Sequence, residues 1–523
     1  MKANLAGRRV GVAAVLFTAG LVTAACSSTP VTVTNAAAPR PLASGSWPYS
    51  NDDLSNARDA AGSTITSANV SGLKQAWSFH ITGPAAAGVS ADGALAANPV
   101  VVNGVVYIQD LDANVYALAL ATGKLKWEYQ LNTPMKTGPG PDGVAVVNGT
   151  VYGISPTTVF ALNARTGHKI WVNSHLLSKG QGTFEIQPQV ADGRVYLASG
   201  YGLGPGGGVL LALSAASGDL LWKFNTVLAP DSGVETVGLG AGGAWETPLV
   251  SSDGSVTFGI GNPYQSVASA IAHPAALLYT DSDVNLDAAT GKLRWYYQGV
   301  PNDFMDHDMQ ASPISASVNG VSVVLGGGKM GYVYEMNAQT GKLIWKTPVG
   351  EHNGRDNDSL LALEHKITLK VPFTILPGSI GGILSDMALA GTSIYVATID
   401  LPLTYTSLKL PVAVKSAGPA TGEVAALNLA TGKVEWDTKV PDLPLGAATV
   451  SNDLVFTTLY HGVLIALNRS TGAIVFRRQL PTSANAPIAI AGNTVIVPAG
   501  GPQTSRTGGD GNPQVVAYTV PAT

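Results

Sequence analysis

Short valine-rich runs separated by tight polar turns recur along this chain, and two phrases alternate. The first is a hairpin signal: apolar residues on both sides of an Asn-Gly or Asp-Gly turn or a close relative. Its turns fall at Asn103-Gly104, Asn148-Gly149, Asp192-Gly193, Asp253-Gly254, Asn319-Gly320, Gly391-Thr392, Asn452-Asp453 and Gly492-Asn493. The second is an apolar strand, a glycine turn, and an aromatic residue four positions later. It reads Thr122-Gly123-Lys124-Leu125-Lys126-Trp127 in its first copy. It returns at Gly167/Trp171, Gly218/Trp222, Gly291/Trp295, Gly341/Trp345, Gly432/Trp436 and, with phenylalanine, at Gly472/Phe476. Each pair of phrases predicts four antiparallel strands, with the aromatic residue packing between neighbouring sheets.

Eight hairpins stand against seven glycine-to-aromatic cassettes. The last hairpin runs into Val515-Val516-Ala517-Tyr518 and the sequence ends soon after. Leu73-Lys74-Gln75-Ala76-Trp77-Ser78-Phe79 reads as the end of a cassette without a beginning, and supplies the missing outer strand. The expected fold is therefore all-β: an eight-bladed β-propeller of four-stranded antiparallel blades, its last blade closed by the N-terminal strand. Ring closure removes exposed sheet edges. Helical periodicity is absent, so the two G-x-G-x-x-G matches at Gly202 and Gly238 are loop glycines rather than a dinucleotide fingerprint.

The N-terminus has a different pattern. Lys2, Arg8 and Arg9 precede an uncharged run from Val10 to Ala25, which suits a secretion signal better than a membrane span. It ends in Leu21-Val22-Thr23-Ala24-Ala25-Cys26, which resembles a bacterial lipoprotein cleavage box. The expected organisation is a signal peptide at 1–25, a lipidated flexible tether at 26–46 and the propeller at 47–523. Cys26 would carry the lipid, and the protein would be exported and anchored to the cell membrane on its periplasmic or extracellular face. Cys26 is also the only cysteine, which excludes a disulfide framework and a covalently attached haem. Thirty Lys and Arg against 34 Asp and Glu exclude a strongly basic nucleic-acid binder.

The inner strand of each blade lines the propeller axis. The positions just before the hairpins therefore converge on one channel end: Asn98, Asp142, Glu185, Gln187, Trp245, Glu246, Asp306, Asp308 and Asp386. Such a ring of acids could hold a divalent cation through oxygen ligands.

The repeats, and the opening Trp47-Pro48-Tyr49 to Arg58 continuing through Leu73–Phe79, resemble the pyrroloquinoline quinone (PQQ) repeat propellers and the quinoprotein alcohol dehydrogenases. The resemblance implies roles for residues in matching phrases. Trp245, in Gly242-Gly243-Ala244-Trp245, would stack on the quinone. Asp306, in Asn302-Asp303-Phe304-Met305-Asp306-His307-Asp308, would be the catalytic base and a metal ligand. Asn262, in Gly259-Ile260-Gly261-Asn262, would bind calcium, and Lys329 would polarise the quinone oxygens. Strand alternation, independently of the resemblance, would point His307 away from the channel.

The sequence also departs from that family. Asn98-Pro99 lacks the preceding glutamate, Asp142 stands where arginine is expected, and Ser199-Gly200-Tyr201-Gly202 lacks the calcium-binding glutamate. The cysteine pair that roofs the quinone is missing too. Glu185 or Glu246 would have to substitute as metal ligands. The run Glu351–Asp358 reads as a solvated loop, and the apolar stretch from Ile367 to Gly378 as an insert over the channel mouth or a partner surface. Two functions remain open. One is a PQQ- and calcium-dependent oxidoreductase of alcohols or sugars. The other is a non-catalytic propeller lipoprotein that scaffolds an envelope protein partner.

Overall fold

A two-residue hairpin that follows the twist of its strands needs left-handed backbone at both central positions, which explains the Asn-Gly turns. Asn103 has φ 52° and Gly104 has φ 71°, and the same pairing recurs at Asn148-Gly149, Asp192-Gly193 and Asn319-Gly320. The computed structural model describes residues 33–34, 45–82, 93–134, 140–200, 207–227, 241–409, 420–501 and 512–521. Eight antiparallel sheets are built around these hairpins. The first blade comprises Val100–Val102, Val105–Gln109, Val115–Ala119 and Leu125–Tyr129. The next six blades follow in chain order, with inner strands Ala145–Val147, Gln189–Ala191, Leu249–Val250, Ile314–Val318, Ala388–Ala390 and Thr449–Ser451. The eighth combines Ala489–Ala491, Thr494–Ala499 and Gln514–Thr519 with Lys74–His80 from the other end of the chain. Trp77 stands opposite Ala517 in that pairing, so the ring closes as the unmatched cassette predicts.

The cassettes join blade to blade. Each cassette tryptophan covers the turn glycine of the next cassette: Trp77 lies on Gly123, Trp127 on Gly167, Trp171 on Gly218, and so on to Trp436 on Gly472. Each indole N–H also donates to a carbonyl beside that turn, as Trp127 does to Ala164 O at 2.9 Å and Trp222 to Ala288 O at 3.1 Å. The glycine thus meets two demands, a positive φ and space for an indole. Phe476 ends the last complete cassette, and among the described residues no turn glycine lies against it.

Two features go beyond the repeat. Two short helices, Val267–Ala272 and Asp358–Leu363, form where no helical periodicity is evident. They pack with Phe304, Met305, Phe373 and Tyr405 in one apolar cluster, which seats the insert on the loop carrying Asp306. The second feature is a strap from Trp47 to Thr64 across the channel. It exchanges backbone hydrogen bonds with Val101, Ser315, Leu389, Val450 and Gly492, on the first, fifth, sixth, seventh and eighth blades. Arg58, with no solvent exposure, donates to Ala448 O, Asn51 Oδ1, Thr449 Oγ1 and Ile488 O. Ahead of the strap, Val33–Thr34 pair with Val318 and Ser317 on the fifth blade. Cys26 and the signal segment lie outside the described residues. No described helix is long and apolar enough to cross a membrane.

Candidate functional site

The inner strands begin around a cavity of about 630 Å³ at the channel end opposite the strap. Its polar wall includes Asn98, Asp142, Trp245, Glu246, Asp306, Asp308, Gln310 and Lys329, and its apolar wall includes Ile380, Leu401, Leu443 and Leu445. Of the channel-facing positions expected from sequence, six line it. Glu185, Gln187 and Asp386 are instead buried and bonded elsewhere: to the Thr183 hydroxyl, to Val144 O and to the Ser312 N–H.

Trp245 is 9% exposed and rests among glycines. A Cβ would lie 2.5 Å from its ring at Gly200, 3.0 Å at Gly243 and 2.6 Å from Nε1 at Gly261. These glycines let the backbone approach the indole closely. The same Gly261 position is 2.7 Å from Asp308 Oδ1, so the aromatic wall and the acidic cluster meet there.

Asn262, Asp306, Asp308 and Lys329 form that cluster. The Asn262 N–H donates to Asp308 Oδ1 at 2.6 Å, and its Nδ2 donates to Asp308 Oδ1 at 2.7 Å and also to Asp306 Oδ1. The Lys329 ammonium lies 2.6 Å from Asp308 Oδ2 and 3.2 Å from Asp306 Oδ1. Burial pushes the Asp306 carboxyl well above the usual range; Lys329 opposes this, and Asp308 and Asp303 reinforce it. Burial disfavours the Lys329 ammonium, but Asp306 and Asp308 outweigh it and raise its pKa.

Trp245, Asn262, Asp306 and Lys329 therefore converge. Lys329 is held between two carboxylates rather than solvated in a turn. Asp308 completes the cluster, a role the sequence reading did not give it, although the Asp-x-Asp spacing was visible. His307 points away: its N–H donates to Asp303 Oδ2 at 2.9 Å and its Nε2 is 3.3 Å from Pro377 O. Loop hydrogen bonds fix that direction, since no strand runs through His307 and Asp306 has φ 63°. Glu246 belongs to a separate charge group: burial raises its pKa, Asp386 and Asp142 add to the shift, and Arg58 of the strap opposes it. Asp281 was also missed. It is fully buried, and burial, with Asp303, Asp308 and Asp306 nearby, raises its pKa well above the usual range.

A channel-end cavity on a PQQ-type propeller, walled by tryptophan and a hard-oxygen cluster, defines a class of protein. The profile for the glucose/ethanol/alcohol dehydrogenase β-propeller domain matches residues 47–143 and 185–353, about half the chain, and the chain belongs to this PQQ propeller family. A second profile, that of the outer membrane protein assembly factor BamB, matches residues 420–519. The dehydrogenase subunit of the quinone alcohol dehydrogenase of Gluconobacter oxydans is 26% identical over 422 residues, covering 70% of this chain and 54% of that protein. The chain thus spans about half the length of the curated relatives it matches. The quinohaemoprotein alcohol dehydrogenase structure from Pseudomonas putida HK5 superposes with a TM-score of 0.78 at 20% identity, covering 92% of this chain and 81% of that one. A europium-containing methanol dehydrogenase gives 0.70 at 18% identity, covering 91% and 98%. At these identities the two structures bear on the fold alone.

Proposed function

We propose that the protein is a quinoprotein-like oxidoreductase acting on a small alcohol or sugar, with PQQ and a calcium-type cation in the channel cavity. The observation that carries this reading is the convergence of Trp245, Asp306 and Lys329 on one cavity, with Asn262 bonded to Asp306 behind it. The residues suit both groups. Trp245 offers a planar apolar wall, and Asp306 and Asp308 offer hard oxygen donors, while Asn262 turns its Nδ2 to these carboxylates and its Oδ1 accepts from the Tyr264 N–H. Asn98 Oδ1 is buried at the cavity without a hydrogen bond among the described residues, and is an acceptor for a ligand. PQQ, when bound, supplies the two-electron acceptor.

The chain's own residues do the rest. Asp306 holds the proton of a substrate hydroxyl within hydrogen-bond reach. Lys329 fixes positive charge where an oxygen gains negative charge. Leu401, Leu443 and Leu445 give the cavity an apolar side that disfavours water. Export and lipid anchoring through Cys26 belong to this proposal.

A second reading, the non-catalytic envelope scaffold, is favoured by one observation: Lys329 is the only Lys or Arg among the described lining residues, and it is already paired. One titration separates the two. Tether-free protein is titrated with PQQ plus calcium, Trp fluorescence is followed, and Trp245→Ala is the control. Saturable quenching that the variant loses is expected, followed by turnover with an artificial electron acceptor. Equal quenching in both proteins, or none, overturns the oxidoreductase reading.

A further inference from the structure

A second group of acids lies at the seam between the fifth and sixth blades, outside the channel. Glu351 follows the outer strand of the fifth blade, Leu343–Pro348. Asp400 ends the sixth-blade strand Ser393–Asp400, and Glu423 lies in its neighbour Thr421–Asn428. We propose that Glu351, Asp400 and Glu423 bind a divalent cation of the calcium type, which clamps the insert beginning at Glu351 onto the sixth blade.

One carboxylate oxygen from each of the three lies within 4.8 Å of the others. Strand alternation explains the convergence. Thr398 and Asp400 share one face of their strand, and the register sets Glu423 opposite Thr398 and Lys439 opposite Glu423. Asp400 and Glu423 are each 4% exposed, so two of the acids are nearly dry. The Glu351 N–H donates to Asp400 Oδ1 at 2.8 Å, which fixes the carboxylate.

The Thr398 hydroxyl provides an independent observation. It is fully buried and makes no hydrogen bond among the described residues. Its oxygen lies 3.2 Å from the position a Cβ would take at Gly350, and Asp400 Oδ1 lies 3.0 Å from the same position. Leaving a buried hydroxyl without a partner is unfavourable, and a cation beside it would use its lone pair. Three carboxylates, this hydroxyl and water give the oxygen-rich, irregular shell that calcium accepts.

The local charge is also incomplete. Lys439 pairs with Glu351 and, at 3.3 Å, with Glu423, but it is 67% exposed. Asp437 adds a carboxyl from the adjacent strand, so one ammonium faces four carboxyls.

The Asn262–Asp306–Asp308 cluster would bind cations too. The test is therefore run on full-length protein carrying Asp306→Asn and Asp308→Asn, after treatment with chelator. Calcium alone is titrated calorimetrically and the melting temperature followed. One equivalent with a raised melting temperature is expected. Adding Asp400→Asn and Glu423→Gln should abolish both effects. The exposed change Glu351→Gln, which leaves the core untouched, should weaken binding about tenfold, equivalent to about 1.4 kcal/mol. Lys439→Ala should tighten binding, because a competing ammonium is removed. No calcium bound in the inner-site background, unchanged binding in Glu351→Gln, or weaker binding in Lys439→Ala overturns the proposal and leaves an acid cluster neutralised by Lys439.

Discussion

At Gly261, one added methyl group would collide with both the Trp245 indole and the Asp308 carboxylate. Gly261 is not in the left-handed region, so Gly261→Ala tests packing rather than backbone strain. Overpacking of this kind costs about 1–3 kcal/mol. The expected outcome is a lower melting temperature and a quinone titration shifted at least about tenfold, or about 1.4 kcal/mol, to weaker binding. An unchanged titration would mean that the glycine bed does not set the position of the indole. Trp245, Asn262, Asp306 and Lys329 were legible because each sits in a short phrase that resembles its family counterpart. The role of Asp308 was not. It depends on Asn262 and Lys329 being drawn together from the fourth and fifth blades, and spacing alone does not place those side chains. Glu351 was likewise read as part of a solvated loop, but its partners lie across a blade seam.

The cassette is the element in which local and long-range requirements coincide. Gly104 and Gly123 have nearly equal φ, 71° and 67°, but nothing lies within 4 Å of a Cβ at Gly104, whereas one at Gly123 would be 2.6 Å from Trp77. Alanine at either position bears the left-handed cost of about 1–2 kcal/mol. Only Gly123→Ala adds the clash, about 1–3 kcal/mol more. Denaturant melts of the two variants should therefore differ by that second amount, and equal melts would refute blade-to-blade docking through tryptophan. The hairpins and cassettes were readable because glycine turns and alternating strands are local. The strap was not, because its bonds reach residues up to 430 positions away and no periodicity marks them.

Across the whole molecule, buried acids are unusually common for a chain whose charged residues make up only 12%. Burial raises Asp59 and Asp110 to about 6 and Glu335 to about 7, and holds Asp52, Asp281 and Asp283 well above the usual range. A raised carboxyl pKa means that the folded state binds more protons than the unfolded state. The resulting stability is full below about pH 4 and is lost as pH rises through about 6 to 7. Melting temperatures taken in chelator should accordingly be higher at pH 5 than at pH 8, by at least about 2 °C. A higher value at pH 8 would show that these carboxyls are not raised by burial in solution.

The Trp47–Thr64 strap gives this protein a cup instead of a pipe. With Arg58 and its neighbours filling the far end, the described residues leave a molecule in the cavity the mouth by which it entered. On the proposed oxidoreductase reading, a substrate and an electron acceptor that both enter by that mouth take turns, and parallel lines in the double-reciprocal plot are the expected outcome of steady-state kinetics.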